Sequence, residues 1–311
     1  MSDDFLWFEG IPLPNKGLQT EILRKVHDEF VIKDEDVVTV TYPKSGTNWL
    51  IEILCLIHSK GDPKWIQSVP IWERSPWVES DIGYKMLSEK EGPRLISSHL
   101  PIQLFPKSAF TSKAKQVCVV GTRDSVLGDT CVAAPRTVLE FKGVEHFTGY
   151  IAMICHRMKS SFSVYNHPSM ICSWHEVQSS KPGLIYGSWF DQIRGWMSMR
   201  GKENFLLLSY EELKKDTRGS VEKICQFLGK TLEPEELNLI LKNSSFQAMG
   251  ENKMSNYSLL RVYCVADNPQ LLRKGISGDW KNHFTVAQSE AFDKLFQEKM
   301  ADLPPELFPW E

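Results

Sequence analysis

The sequence predicts an α/β fold: one domain over residues 1–311, with a central parallel sheet flanked by helices and a P-loop-like strand, loop and helix near its start. Three observations carry that prediction. Short β-rich runs recur at Val37 to Tyr42, Arg94 to Ser98, Gln116 to Val120 and Phe205 to Tyr210. The stretches between them are long enough for helices and returns, as parallel pairing requires. The first run passes through a Pro-Lys-Ser-Gly turn into a segment of helical apolar spacing, which is how a βαβ unit begins.

Taken in order, Leu18 to Phe30 sets apolar residues at Leu18, Ile22, Leu23, Val26 and Phe30 with charges between them, an amphipathic helix. Val37 to Tyr42 is the first strand of the parallel sheet, and Trp49 to His58 the helix after its turn. Ala109 to Lys115 and the Pro-rich C-terminal end read as surface connections. Val221 to Leu228, Pro234 to Leu241 and Val286 to Met300 have helical spacing. Phe141 to Trp174 shows no clear periodicity, and there is no internal repeat or low-complexity tract.

With 42% hydrophobic residues the chain can build a sizeable core. The formal charge of −3, from 36 basic and 39 acidic residues without a long basic run, argues against coating nucleic acid. No apolar run is long enough to span a bilayer, and the first 30 residues lack a basic start and apolar centre, so a cytosolic protein is expected. The seven cysteines, Cys55, Cys118, Cys131, Cys155, Cys172, Cys225 and Cys264, form no CxxC pair. They read as reduced thiols, and no metal site is expected.

Thr41-Tyr42-Pro43-Lys44-Ser45-Gly46-Thr47-Asn48-Trp49 joins a buried strand to a helix N-terminus, where unpaired amides and the helix dipole favour an anion. Gly46 lets the backbone come close, Lys44 brings a cation, and Ser45 and Thr47 bring hydroxyls. The lysine precedes the glycine, so this is not a Walker A sequence. As a plain strand-to-helix turn, the same residues would only cap the helix.

TYPKSGTNW resembles the 5′-phosphosulfate loop of cytosolic sulfotransferases, and Arg273-Lys274-Gly275-Ile276-Ser277-Gly278-Asp279-Trp280-Lys281 resembles that family's second cofactor segment. The flanks, over 1–117 and about 184–311, are similar to the 2A-type hydroxysteroid (bile-salt) members. The resemblance implies a 3′-phosphoadenosine 5′-phosphosulfate donor and no metal. Lys44, Ser45, Gly46, Thr47, Asn48 and Trp49 would surround its 5′ end, and Arg273, Lys274 and Gly275 its 3′-phosphate. Tyr210, Ser244 and Met249 fall at the adenosine-side positions. His99 would be the general base and Lys44 would stabilise the bridging oxygen. Trp72, Trp77 and Tyr257 would wall the pocket of a small apolar alcohol, a steroid or bile acid. Lys281, Thr285, Val286 and Glu290 match the family's dimerisation motif, which implies a homodimer.

Residues 118–183 depart from the family pattern. Where it places an arginine and a serine on the 3′-phosphate, counting from Lys115 gives Gly121 and Asp129, with Arg123 and Ser125 as displaced candidates. Each ionic hydrogen bond is worth about 1.5–3 kcal/mol, so losing two weakens donor binding by roughly two orders of magnitude or more. The alternative reading is therefore a catalytically impaired nucleotide-binding or dimerising relative. A P-loop kinase is disfavoured by the absent Walker A glycine.

Overall fold

A computed structural model describes residues 5–15, 17–121, 185–259, 272, 275–278 and 285–303. Arg123, Ser125, Asp129, Phe141 to Trp174, Arg273, Lys274, Lys281 and four of the cysteines lie outside those residues. The chain opens with a hairpin of β1 (Phe5–Phe8) and β2 (Ile11–Pro14). Glu9 and Gly10, both at positive φ, make its tight turn. α1 (Thr20–Asp28) follows, burying Leu23 and Val26 as its spacing predicts.

Four strands form the main sheet: β3 (Val37–Thr41), β4 (Leu95–Ser98), β5 (Lys115–Val120) and β6 (Phe205–Ser209). Their order is β4-β3-β5-β6, every pair is parallel, and Val37 lies beside both Leu95 and Lys115. The predicted parallel sheet is thus present, with each strand within a residue of its predicted run. Tyr210 is the exception with a cause. Ser209 accepts a hydrogen bond from the Glu212 amide in a capping box, which ends the strand and makes Tyr210 the first residue of a helix.

The helices between β3 and β4 are α2 (Thr47–His58), α3 (Lys64–Ser68), α4 (Ile71–Arg74) and α5 (Asp81–Glu89). α6 (Trp189–Met197) precedes β6. After it come α7 (Tyr210–Lys215), α8 (Thr217–Leu228), α9 (Pro234–Asn243), α10 (Phe246–Glu251) and α11 (Val286–Met300). Alternation along the strands feeds two cores. Val38, Val40, Cys118 and Val120 pack with residues of α1, α6 and α11, whereas Val117, Val119 and Leu208 pack with residues of α2, α8 and α9.

The predicted surface connection from Ala109 to Lys115 is only partly at the surface. Ala109 and Ala114 are fully buried and Lys115 already pairs in β5. The reason is that Gln116 donates to the Ala109 carbonyl and Asn204 donates to those of Ser112 and Ala114, which draws the connection onto the sheet. Cys55, Cys118 and Cys225, the described cysteines, are free thiols inside the core.

Candidate active site

Parallel strands deliver their carboxyl ends to one edge, the edge at which α/β sheets bind ligands. The 42–46 loop leaves β3 there and enters α2 at Gly46. Lys44 and Gly46 both have positive φ, at 69° and 86°, on either side of Ser45. Gly46 is required twice over, because a Cβ there would stand 2.7 Å from the Tyr210 ring. That contact seats the first residue of α7 against the loop.

Two polar atoms of the loop region have no hydrogen-bond partner among the described residues: the Oγ of fully buried Ser45 and the Nε1 of Trp49. Buried donors are normally paired, so unpaired ones at a helix start suit an incoming acceptor. Trp49 also meets Tyr210 edge to face at 5.7 Å, with the Lys214 ammonium 5.8 Å from its ring centre. An anionic ligand carrying an aromatic group fits this donor set.

His99 follows β4 directly, one strand over from the loop. Its Nδ1 lies 2.8 Å from the Thr41 carbonyl and 3.2 Å from the Thr41 hydroxyl. A carbonyl only accepts, so Nδ1 carries a proton, and in the neutral form of the ring the lone pair is at Nε2. That form can accept a proton. The ring is framed by Trp77 at 4.2 Å and by Tyr186 at 5.4 Å. The Thr41 and Thr47 hydroxyls meet at 2.7 Å, tying the end of β3 to the start of α2.

The remaining aromatic candidates sit next to this machinery. Trp77 is the residue against His99, and Trp72 packs on Tyr257 at 5.4 Å. The Tyr257 hydroxyl donates to Asn48 Oδ1 at 3.1 Å, so a predicted pocket wall touches a predicted loop residue. One helical turn beyond Asn48, fully buried Glu52 accepts from Arg74 at 2.8 Å and from Ser255 at 2.8 Å. Burial pushes the Glu52 carboxyl above its usual range against the opposing pull of Arg74 and Ser255. Together these contacts fasten the 252–257 segment and α4 to α2.

Ser244 and Met249 are both buried, Ser244 donating its hydroxyl proton to the Ile240 carbonyl. That leaves the Ser244 oxygen able to accept. Gly275, at φ 63°, packs so closely on Phe246 of α10 that a Cβ would lie 2.4 Å from the ring. Gly121 stands just past β5, where its carbonyl accepts from the Trp189 indole. Thr285 and Glu290 are exposed, and Val286 is 76% exposed. Glu79, Tyr186 and Gln192, all in contact with His99, were not legible as site residues, since no motif marks them, and Thr41, which opens the loop motif, had no role assigned to it.

A family model described as a sulfotransferase domain matches residues 34–130 and 138–304. It therefore runs through most of 118–183, and its only internal break is at 131–137, which gives the impaired alternative no support. Sulfotransferase 2A1 of Macaca fascicularis is 67% identical over 313 aligned positions and that of Homo sapiens 65%, each with 100% of both chains covered. A 3-beta-hydroxysteroid sulfotransferase of Cavia porcellus is 54% identical, covering 100% of this chain and 99% of its own. In fold, the chain is similar to mouse sulfotransferase SULT7A1 complexed with PAP, with a TM-score of 0.71 and 24% identity over 97% of this chain and 95% of that one. It is also similar to retinol dehydratase in complex with androsterone and PAP, with a TM-score of 0.73 and 17% identity over 96% and 89%. The chain belongs to the sulfotransferase family.

Proposed function

We propose that this sulfotransferase moves a sulfuryl group from 3′-phosphoadenosine 5′-phosphosulfate to the hydroxyl of a hydroxysteroid, with bile-acid alcohols in the same acceptor class. The observation that carries the reading is the contact of His99 Nδ1 with the Thr41 carbonyl, which makes Nε2 the proton-accepting nitrogen of the ring beside the 42–46 loop. His99 Nε2 takes the proton of the acceptor hydroxyl as its oxygen bonds to sulfur. The bond from sulfur to the bridging phosphate oxygen breaks, and Lys44 balances the charge left there. The products are a sulfate ester and the 3′,5′-bisphosphate.

The donor is held at its sulfate end by Lys44 to Trp49, at the adenosine by Tyr210, Ser244 and Met249, and at the 3′-phosphate by Arg273, Lys274 and Gly275. Ser45 Oγ and Trp49 Nε1, buried without partners among the described residues, support the placement of the sulfate end. Trp72, Trp77 and Tyr257 supply an apolar acceptor wall, and the hydroxysteroid named for the guinea-pig relative supports a steroid there. Exposed Val286 supports a homodimer through Lys281, Thr285, Val286 and Glu290. Reduced, buried Cys55, Cys118 and Cys225 favour the cytosol, and one domain spanning 1–311 carries the whole activity. His99→Ala should lower hydroxysteroid turnover by roughly 10²–10⁴-fold while calorimetry shows the bisphosphate bound as before. Equal loss of binding and turnover would sink the base assignment.

A further inference from the structure

Sequence motifs give His99 its proposed role but say nothing about what aims it. The structure holds this residue at every polar group of its backbone. Its amide donates to Glu79 Oε1 at 3.0 Å, and its carbonyl accepts from Gln192 Nε2 at 3.0 Å. Glu79 belongs to the turn before α5 and Gln192 to α6, so the two holds come from different elements. Both side chains are buried, Glu79 at 0% exposure and Gln192 at 2%.

We infer that Glu79 and Gln192 are positioning residues for His99, clamping its main chain so that the Thr41 carbonyl meets Nδ1 and Nε2 faces the acceptor. The inference rests on His99 being the base. Strand pairing cannot do this job, because β4 ends at Ser98 and the next residues, Leu100 and Pro101, leave the sheet. Pro101 has no amide proton to offer a ladder. Without the two side chains, the first residue past the sheet would lose the hydrogen bonds at both polar groups of its backbone. The Gln192 Oε1 atom has no partner among the described residues, so this buried amide is spent on the His99 carbonyl alone. Keeping a buried amide half satisfied costs stability, which a purely structural position would avoid with an apolar residue.

The test uses the full chain and four variants. Gln192→Met keeps the side chain's shape and removes the donor, and Glu79→Ala removes the acceptor. Each should lower kcat by about tenfold, the scale expected when a reacting group is displaced by a fraction of an ångström. Bisphosphate affinity should stay within about twofold, because the clamps do not touch the nucleotide loop. Glu79→Gln retains an oxygen that accepts the His99 amide and should restore turnover to near the unaltered level. Nitrogen NMR of labelled histidine, assigned with His99→Ala, should show the Nδ1–H tautomer in the unaltered protein and a mixed population in Gln192→Met.

Unchanged kcat together with an unchanged tautomer in Gln192→Met overturns the clamp. So does a parallel fall in bisphosphate affinity and kcat, which would mean general damage. If Gln192→Met does not fold, the Glu79 pair decides: Ala and Gln with equal kcat overturn the clamp. Failure of the base assignment looks different, since His99→Ala would then keep its turnover while the NMR result stood.

Discussion

The same two strands, β3 and β4, are joined at both ends, but by opposite chemistry. At the amino ends, Asp36 and Arg94 form a buried ion pair, with Arg94 Nε 3.1 Å from each carboxylate oxygen. The guanidinium also donates to the Leu87 and Val31 carbonyls and stacks on Phe30 at 5.0 Å. At the carboxyl ends, His99 meets the carbonyl and hydroxyl of Thr41, and Ser45 nearby keeps a buried hydroxyl without a partner among the described residues. One end has its charges paired and its donors engaged; the other leaves donor capacity in hand. Stability and ligand binding are thus separated along the length of two strands, about the span of five residues at 3.3 Å each.

Breaking the paired end should have the largest effect. Arg94→Ala leaves Asp36 as an uncompensated buried charge and should cost about 3–5 kcal/mol in urea unfolding. A loss below about 1 kcal/mol would mean that water reaches Asp36 and that the contrast between the ends is overdrawn.

The Glu52–Arg74 pair sharpens the comparison, because it is a buried ion pair on the binding side. Arg74→Met removes the main influence that lowers the Glu52 carboxyl, so the folded-state value moves further above its ordinary 4.5. A carboxyl raised on folding contributes stability that is complete below its unfolded value and lost as pH rises through the folded one. The variant should therefore be closer to the unaltered protein at about pH 5 than at about pH 8, read from midpoints of chemical unfolding. A pH-independent deficit would contradict the assignment.

The smallest effect on stability belongs to Ser45→Ala, whose sign is the informative part. Removing a buried hydroxyl without a partner should leave the ligand-free protein unchanged or more stable by up to about 1 kcal/mol. Bisphosphate binding should nonetheless weaken by roughly tenfold, the worth of one hydrogen bond to a charged group. Lower stability without the ligand would show that Ser45 has a structural partner.

Much of this was legible in the sequence, for reasons that differ by region. Strands β5 and β6 announced themselves as nearly continuous apolar runs, as in sheets covered on both faces, and β3 through its β-branched Val and Thr residues. The hairpin of β1 and β2 did not, since Pro12 and Pro14 mask a strand that has only one neighbour. The phosphate loop could be read because its function resides in side chains and a glycine that the sequence spells out. The setting of His99 could not, because the group that fixes its tautomer is a backbone carbonyl and the groups that hold its backbone come from Glu79 and Gln192, 20 and 93 positions away. The expectation for Tyr210 failed at a boundary, where a capping serine outweighed strand character.

The contact between Gly46 and the Tyr210 ring has a consequence for inheritance and for design. The ring occupies the space where any other residue's Cβ would lie, so the two positions constrain each other although 164 positions separate them. A larger residue at 46 could be accepted only after the ring had gone, and the ring could be lost without a void only if something else filled that space. Grafting the loop into another sheet therefore means transplanting a distant aromatic with it, because the loop's shape is held jointly by residues far apart in the chain.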